Sequence, residues 1–173
     1  YWQGRGHLDA RIMLVGQDWG CPWDAGAAEV MRNVQAMNRG QSIGYMRENK
    51  NPTDRNLIEL FRSIGFDILT DDSRLFFTNF VMGYRVKGTS GNFKKSWAAA
   101  DAEYFRRLVK IIRPRILLCL GKDTWKSVLG CFDSTISHKM SYNRVIESEK
   151  NPVVVKLSDG MPVYVFALAH CGV

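Results

Sequence analysis

The sequence lacks the features that mark several classes of protein. No apolar run is long enough to span a bilayer, and residues 1–10 (YWQGRGHLDA) lack the continuous apolar region of a signal peptide. The chain has only four cysteines and five prolines, and no two cysteines form a C-x-x-C pair, the spacing from which zinc and iron–sulfur sites usually draw their ligands. We therefore expect a reduced, cytoplasmic protein with no metal, no cofactor and no membrane partner.

The composition is that of an ordinary folded domain with a basic surplus. Of the 173 residues, 46% are hydrophobic and 24% are charged, and no stretch has the composition of a linker, so residues 1–173 are expected to form a single domain. A net charge of +7 favours a polyanionic partner, and nucleic acid is the first candidate. The chain begins without Met and stops at HCGV, which favours truncation at both ends.

Four short apolar runs predict buried strands. They are nearly continuous rather than alternating, as expected for parallel strands that are covered on both faces. The four runs are Arg11–Val15, Leu75–Phe80, Arg115–Leu120 and Pro162–Leu168.

Helical patterns lie between these runs. In 54–64 the spacing of Leu57, Leu60, Phe61 and Ile64 predicts one apolar helix face, and 98–112 repeats such a pattern before Pro114. A third, shorter helix is expected after Gly121. Strands alternating with helices predict a three-layer α/β domain with a mainly parallel sheet, and residues 20–53 and 130–160 are less regular.

Polar residues follow these predicted strands at the edge where ligands bind in open parallel sheets. Asp18 follows the first strand within Gly16–Gly20, Asn79 ends the second, and His170 follows the fourth. Each has an ordinary structural explanation: Asp18 can cap a turn, Asn79 can bond a neighbouring loop, and a single histidine is usually a satisfied core or surface residue. Their joint placement at one sheet edge favours a site for catalysis or base recognition.

The order of five segments resembles the uracil-DNA glycosylase superfamily. The segments are GQDWG, NPTDRNLIEL, LFFTNFVMGYR, RPRILLCLGKDTWKSVL and VYVFALAH, and the resemblance runs from Arg11 to His170. It implies a three-layer α/β/α sandwich with a four-stranded parallel sheet in the order 2-1-3-4. It also implies a monomeric DNA repair enzyme that hydrolyses, without a cofactor, the N-glycosidic bond of a flipped-out uracil or related damaged base.

The resemblance assigns roles to individual residues. Asp18 matches the motif Asp that orients the attacking water and stabilises the cationic sugar, and His170 matches the His that donates a hydrogen bond to the base oxygen. Asn79 matches the Asn whose carboxamide pairs with the uracil edge. An aromatic residue, expected to be Tyr45, stacks on the base. The expected substrate-binding residues are therefore Gly16, Gln17, Gly20, Tyr45 and Asn79.

A basic run is the candidate for contact with the DNA backbone. It spans 85–95 (RVKGTSGNFKK), and its Gly and Ser residues let the backbone approach a phosphate. A solvated loop explains the same composition nearly as well. Lys122, at the start of the third helix, is a further candidate. The expected DNA-binding residues are Arg85, Lys87, Lys94, Lys95 and Lys122.

The sequence also departs from the family pattern. Trp19 replaces the motif Pro, Gly20 stands where the best-known branch has a Tyr that excludes the thymine methyl, and the chain ends CGV after His170 instead of continuing with Pro-Ser. The cysteine pattern of the iron–sulfur branches is not matched. The stacking aromatic is expected to be Tyr45, with Trp23 and Trp19 as alternatives.

Two other functions therefore stay open. One is a catalytically weak or inactive superfamily member that binds nucleic acid or a nucleobase. The other is an unrelated α/β hydrolase or nucleotide-binding domain, which ranks last because the sequence has neither a Walker motif nor a G-x-G-x-x-G motif.

Overall fold

One mixed sheet of five strands organises the computed structural model. The structure describes residues 6–18, 52–70, 74–83, 93–133, 140–148 and 151–170, with single positions between 28 and 41. Along the chain the strands are β1 (Ile12–Gly16), β2 (Leu75–Asn79), β3 (Ile116–Leu120), β4 (Val153–Lys156) and β5 (Pro162–Leu168). In the sheet they lie in the order β2-β1-β3-β5-β4.

The four predicted apolar runs are neighbours in the sheet and are parallel. β1 pairs with β2 on one side and with β3 on the other, and β3 pairs with β5. Their relative order therefore matches the expected 2-1-3-4. The sheet is mainly parallel, as expected, but the predicted number of four strands was wrong, because β4 adds a fifth, antiparallel strand at the edge.

The missed strand β4 is short and half-exposed. Its four residues alternate between buried and exposed, whereas the predicted strands are nearly continuous apolar runs. A tight turn joins it to β5: the amide of Leu157 donates to the carbonyl of Met161 at 2.9 Å, and Gly160 has a φ of +83°. The Asp159-Gly160 dipeptide between apolar segments is typical of a hairpin turn, and this signal in the sequence would have revealed β4.

Helices fill the connections between the strands. Those with described bounds are α1 (Pro52–Ser63), α2 (Lys95–Ile112), α3 (Lys122–Phe132) and the short α4 (Tyr142–Ile146), and a 3-10 turn at His7–Asp9 precedes them. In the described part of the chain, no helix is long and apolar enough to cross a membrane.

The buried face of α1 differs from the prediction. Leu57 and Phe61 are buried as expected, but Ile58 is buried as well, while Leu60 is 36% exposed and Ile64 is 63% exposed. The buried stripe of α1 therefore runs through positions 57, 58 and 61. The helix faces the sheet with this side rather than with the side through positions 57, 60 and 64.

Strand alternation divides the core into two clusters. Leu14 of β1 and Leu120 of β3 join one cluster with the buried residues of α1. Their neighbours Met13, Val15 and Cys119 belong to the other cluster, together with the buried residues of α2 and α3. Because successive side chains of a strand point to opposite faces, the residues that end each strand can be assigned to a face in the same way.

Candidate functional site

The candidate site lies at the carboxyl edge of the sheet, defined here by the last residues of the four parallel strands. These residues are Gly16, Asn79, Leu120 and Leu168, and the register pairs Gly16 with Asn79 and Leu120 with Leu168. The parallel connections return each helix from this edge, so α1, α2 and α3 begin beside it. Backbone N–H groups at helix starts therefore add positive potential to the same edge.

Asn79 lies against Gly16. The amide is buried, with 5% of its surface exposed, and it occupies the space where a Cβ at Gly16 would stand. An added Cβ would overlap the amide Oδ1 and approach Cγ to 3.3 Å. Asn79 alternates with Leu75 and Phe77 and so lies on the α1 face of the sheet. The missing side chain of Gly16 is thus what lets Asn79 lean over the end of β1.

Backbone hydrogen bonds hold the ends of β1 and β2 together beyond their ladder. The amide of Phe80 donates to the carbonyl of Gly16 at 2.9 Å, and the amide of Val81 donates to the carbonyl of Gln17 at 3.0 Å. Asp18 follows directly and is half-buried. Asp18 therefore leaves the sheet beside the strand end that carries Asn79.

His170 leans over the end of β3. A Cβ added at Gly121 would lie 3.7 Å from Cδ2 of His170. The amide of Gly121 donates to the carbonyl of Leu168 at 2.9 Å, which continues the ladder between β3 and β5 past the last residue of β3. Gly121 has a φ of +87°, in the left-handed region that favours glycine, and it caps the start of α3.

Each of these two side chains lies over the end of the next strand inward in the sheet. Four parallel strands in the order β2-β1-β3-β5 separate the ends of β2 and β5 by three strand spacings, or about 14 Å. Asn79 reaches over β1 and His170 reaches over β3, and those strands are adjacent, about 5 Å apart. Asn79 thus lies over the end of β1 and His170 over the end of the adjacent strand β3, and Asp18 follows β1.

Three of the expected DNA-binding lysines lie at helix starts on this edge. Lys94 and Lys95 begin α2, Lys122 begins α3, and all three are exposed. The first turn of α2 has no acidic residue, and Nζ of Lys94 lies 5.1 Å from the centre of the Trp97 ring. The amino-terminal end of a helix carries positive potential, and these lysines add further positive charge beside it. This arrangement favours the binding of an anion by the lysines and the helix starts.

The remaining expected site residues lie outside the described residues. They are Gly20, Tyr45, Arg85 and Lys87, and the alternative aromatics Trp19 and Trp23 lie outside them as well.

Asp54 is a site candidate that the sequence reasoning missed. It is half-buried in the first turn of α1, three and four residues before Leu57 and Ile58, and so it begins the stripe that faces the sheet. Burial raises its pKa above the ordinary value of 3.8. The spacing of Asp54 from Leu57 and Ile58 was visible in the sequence. It predicts the burial of Asp54 only once the side of α1 that faces the sheet is known. Asp54 thus places a second carboxyl on the face of the sheet that carries Asn79.

The described thiols and acids do not suggest metal chemistry. Among the residues that the structure describes, no group of three or more His, Cys, Asp or Glu side chains could hold a metal ion. Cys119 is fully buried, and burial raises its pKa far above the usual range. Burial also raises the pKa of Cys131 to about 11. Both thiols are protonated at neutral pH and are therefore weak nucleophiles.

The fold and the site define a mixed α/β protein with a polar cluster at the carboxyl edge of a mainly parallel sheet. Comparison of the chain with protein-family models finds no matching family, and comparison with curated proteins finds no match.

Proposed function

We propose that this protein is a DNA glycosylase that hydrolyses the N-glycosidic bond of a flipped-out uracil or a related damaged base. The proposal includes the three-layer α/β/α arrangement that the resemblance to the uracil-DNA glycosylase superfamily implies. One observation carries it: Asn79 lies over the end of β1, His170 lies over the end of the adjacent strand β3, and Asp18 follows β1. An amide, an imidazole and a carboxylate at the ends of adjacent strands suit one planar base attached to a sugar.

Asn79 is proposed to read the base. Its carboxamide offers a donor and an acceptor side by side, the complement of the N3–H and O4 groups of uracil. The amide is 5% exposed and is held against Gly16. A buried reader of this kind discriminates well, because a base with the wrong edge leaves a desolvated polar group unpaired.

Asp18 and His170 are proposed to act on the glycosidic bond. A water oriented by Asp18 attacks C1′, and its oxygen forms the new bond as the bond from C1′ to the base nitrogen breaks. The proton that this water loses passes by way of the Asp18 carboxylate to solvent, and the released base anion takes up a proton from solvent. The electron pair of that bond leaves with the base, and His170 donates a hydrogen bond to the base oxygen on which the negative charge accumulates. The Asp18 carboxylate offsets the positive charge that develops on the sugar. Both interactions strengthen as the bond breaks, so they lower the barrier rather than only holding the substrate.

Lys94, Lys95 and Lys122 are proposed to contact DNA phosphates. Their position at helix starts places them around the proposed base site, and their exposure lets them reach a backbone that runs across the edge. Each phosphate that a lysine neutralises releases counterions, so binding is expected to weaken steeply with added salt.

The test separates chemistry from binding. Single-turnover base release and DNA affinity are measured on oligonucleotides that carry one uracil, a 5-substituted uracil or hypoxanthine. Asp18→Asn and His170→Ala are expected to lower base release by roughly 100-fold or more with little change in affinity. Lys94→Ala and Lys95→Ala are expected to weaken binding and to reduce its salt dependence.

Lys110→Ala is the matched control, because Lys110 is an exposed lysine in the last turn of the same helix α2, at the opposite edge of the sheet. It is expected to bind DNA like the unaltered protein. Equal loss of binding in all five variants would contradict the division of roles. Specific DNA binding without detectable base release on any substrate would favour the alternative, a catalytically inactive nucleic-acid-binding member.

A further inference from the structure

The end of β5 is held by groups from three other segments of the chain. The carbonyl of Leu168 accepts two hydrogen bonds, one from the amide of Gly121 at 2.9 Å and one from the hydroxyl of Tyr142. One residue earlier, the side chain of Asn151 pairs with both backbone groups of Ala167, each at 3.0 Å. Four hydrogen bonds thus converge on Ala167 and Leu168, the last two residues of β5.

The ring of Tyr142 is itself anchored. It meets Trp125 of α3 nearly edge to face, with ring centres 5.9 Å apart and planes inclined by 62°. Trp125 is fully buried in the core. Pairs of this geometry stabilise beyond their buried area, and a tyrosine in such a pair has few conformations left to its hydroxyl. Tyr142 therefore connects a rigid part of the core to the carbonyl of Leu168.

We propose that Tyr142 is a positioning residue for His170. This inference rests on the proposed function and extends it by naming the group that aims the imidazole. Only Ala169 separates Leu168 from His170, and two residues span at most about 7 Å, so the orientation of the Leu168 peptide group directs the short tether that carries the ring. Gly121 is the common element, because it bonds Leu168 and also packs against His170.

The variant Tyr142→Phe removes the hydroxyl and keeps the ring that contacts Trp125. We expect single-turnover base release to fall by roughly 10- to 100-fold, because catalytic groups misplaced by about 1 Å lose that much rate. DNA affinity is expected to stay unchanged. In a His170→Ala background the same substitution is expected to have no further effect, since a positioning residue has nothing left to position.

Tyr164→Phe is the control, because Tyr164 is a 43% exposed tyrosine on β5, the strand that ends at Leu168. Loss of the Tyr164 hydroxyl is expected to leave base release unchanged. An equal rate loss from Tyr142→Phe with and without His170 would overturn the inference, since a general loss of structure acts in both backgrounds.

A measurement that needs no activity separates this inference from the proposed function. The chain has three histidines, so the imidazole resonances of His170 can be assigned by comparison with His170→Ala and followed by NMR. Tyr142→Phe is expected to shift or broaden the His170 resonances and to leave those of His7 unchanged. Unchanged His170 resonances would overturn the inference. Absence of base release from the unaltered protein would instead overturn the proposed function, and shifted resonances would still support the positioning role.

Discussion

Substitution of Gly16 by alanine tests the contact on which the candidate site depends. The added methyl would overlap Oδ1 of Asn79 and stand 3.3 Å from its Cγ and 3.9 Å from the carbonyl oxygen of Thr78. Because the Thr78 carbonyl belongs to the backbone of β2, the amide of Asn79 is the group that moves. We therefore expect Gly16→Ala to displace Asn79 from its position over the end of β1.

The expected magnitude follows from overpacking of a buried position. Forcing one methyl into a well-packed site typically costs about 1–3 kcal/mol. In a domain of this size each kcal/mol lowers Tm by about 2–4 °C, so Tm is expected to fall by roughly 2–12 °C in thermal unfolding followed by circular dichroism. If Asn79 reads the base, its displacement by about 1 Å is also expected to lower base release by up to roughly 100-fold.

Two further variants make this prediction refutable. Gly83→Ala is the matched control, since a Cβ at Gly83 meets none of the described residues within 4 Å, and its Tm is expected to stay equal or to rise slightly. Asn79→Ala removes the group that clashes, so Gly16→Ala is expected to cost much less in that background. A Gly16→Ala variant as stable as Gly83→Ala, or an undiminished cost in the Asn79→Ala background, would refute the reasoning.

The other predictions concern burial and backbone conformation. Because burial raises the pKa of Asp54, its ionised form destabilises the folded state, so Asp54→Asn is expected to raise the free energy of unfolding at pH 7. The gain should disappear as the pH falls below 3.8, where the Asp54 carboxyl is protonated in both the folded and the unfolded state. Denaturant titrations at several pH values measure this gain, and Glu59→Gln, at an exposed position of the same helix, is the control that is expected to leave the free energy of unfolding at pH 7 unchanged. Cys119 and Cys131 are expected to resist alkylation at pH 8 until the protein unfolds, as followed by mass spectrometry of labelled peptides, and rapid labelling of the native protein would contradict their burial. Gly121→Ala is expected to cost about 1–3 kcal/mol in urea unfolding because of its φ of +87°, and an unchanged midpoint would contradict this.

The sequence by itself determined the parallel part of the fold. Strands buried on both faces need nearly continuous apolar runs, and such runs are visible without any structure, as in Pro162–Leu168, whose bounds were predicted without error. The parallel arrangement then places the residues that follow each strand at one edge. For that reason Asp18, Asn79 and His170 could be selected from the sequence as a group.

What the sequence did not reveal depends on contacts between distant residues. β4 has only four residues, two of them exposed, and its pairing is set by β5 and by the Asn151 amide rather than by its own pattern. The burial of Asp54 depends on which side of α1 meets the sheet.

The fine geometry of the site was likewise decided by the tertiary structure. Asn79 fits over Gly16 because the register places the two residues opposite each other, although 63 positions separate them in the chain. Tyr142 reaches the carbonyl of Leu168 across a separation of 26 residues. Local patterns record which residues are buried, but they carry no information about which distant residue supplies the neighbour. Only the packed fold, by satisfying all these contacts at once, decided the positions of Asn79 and His170 over the ends of β1 and β3.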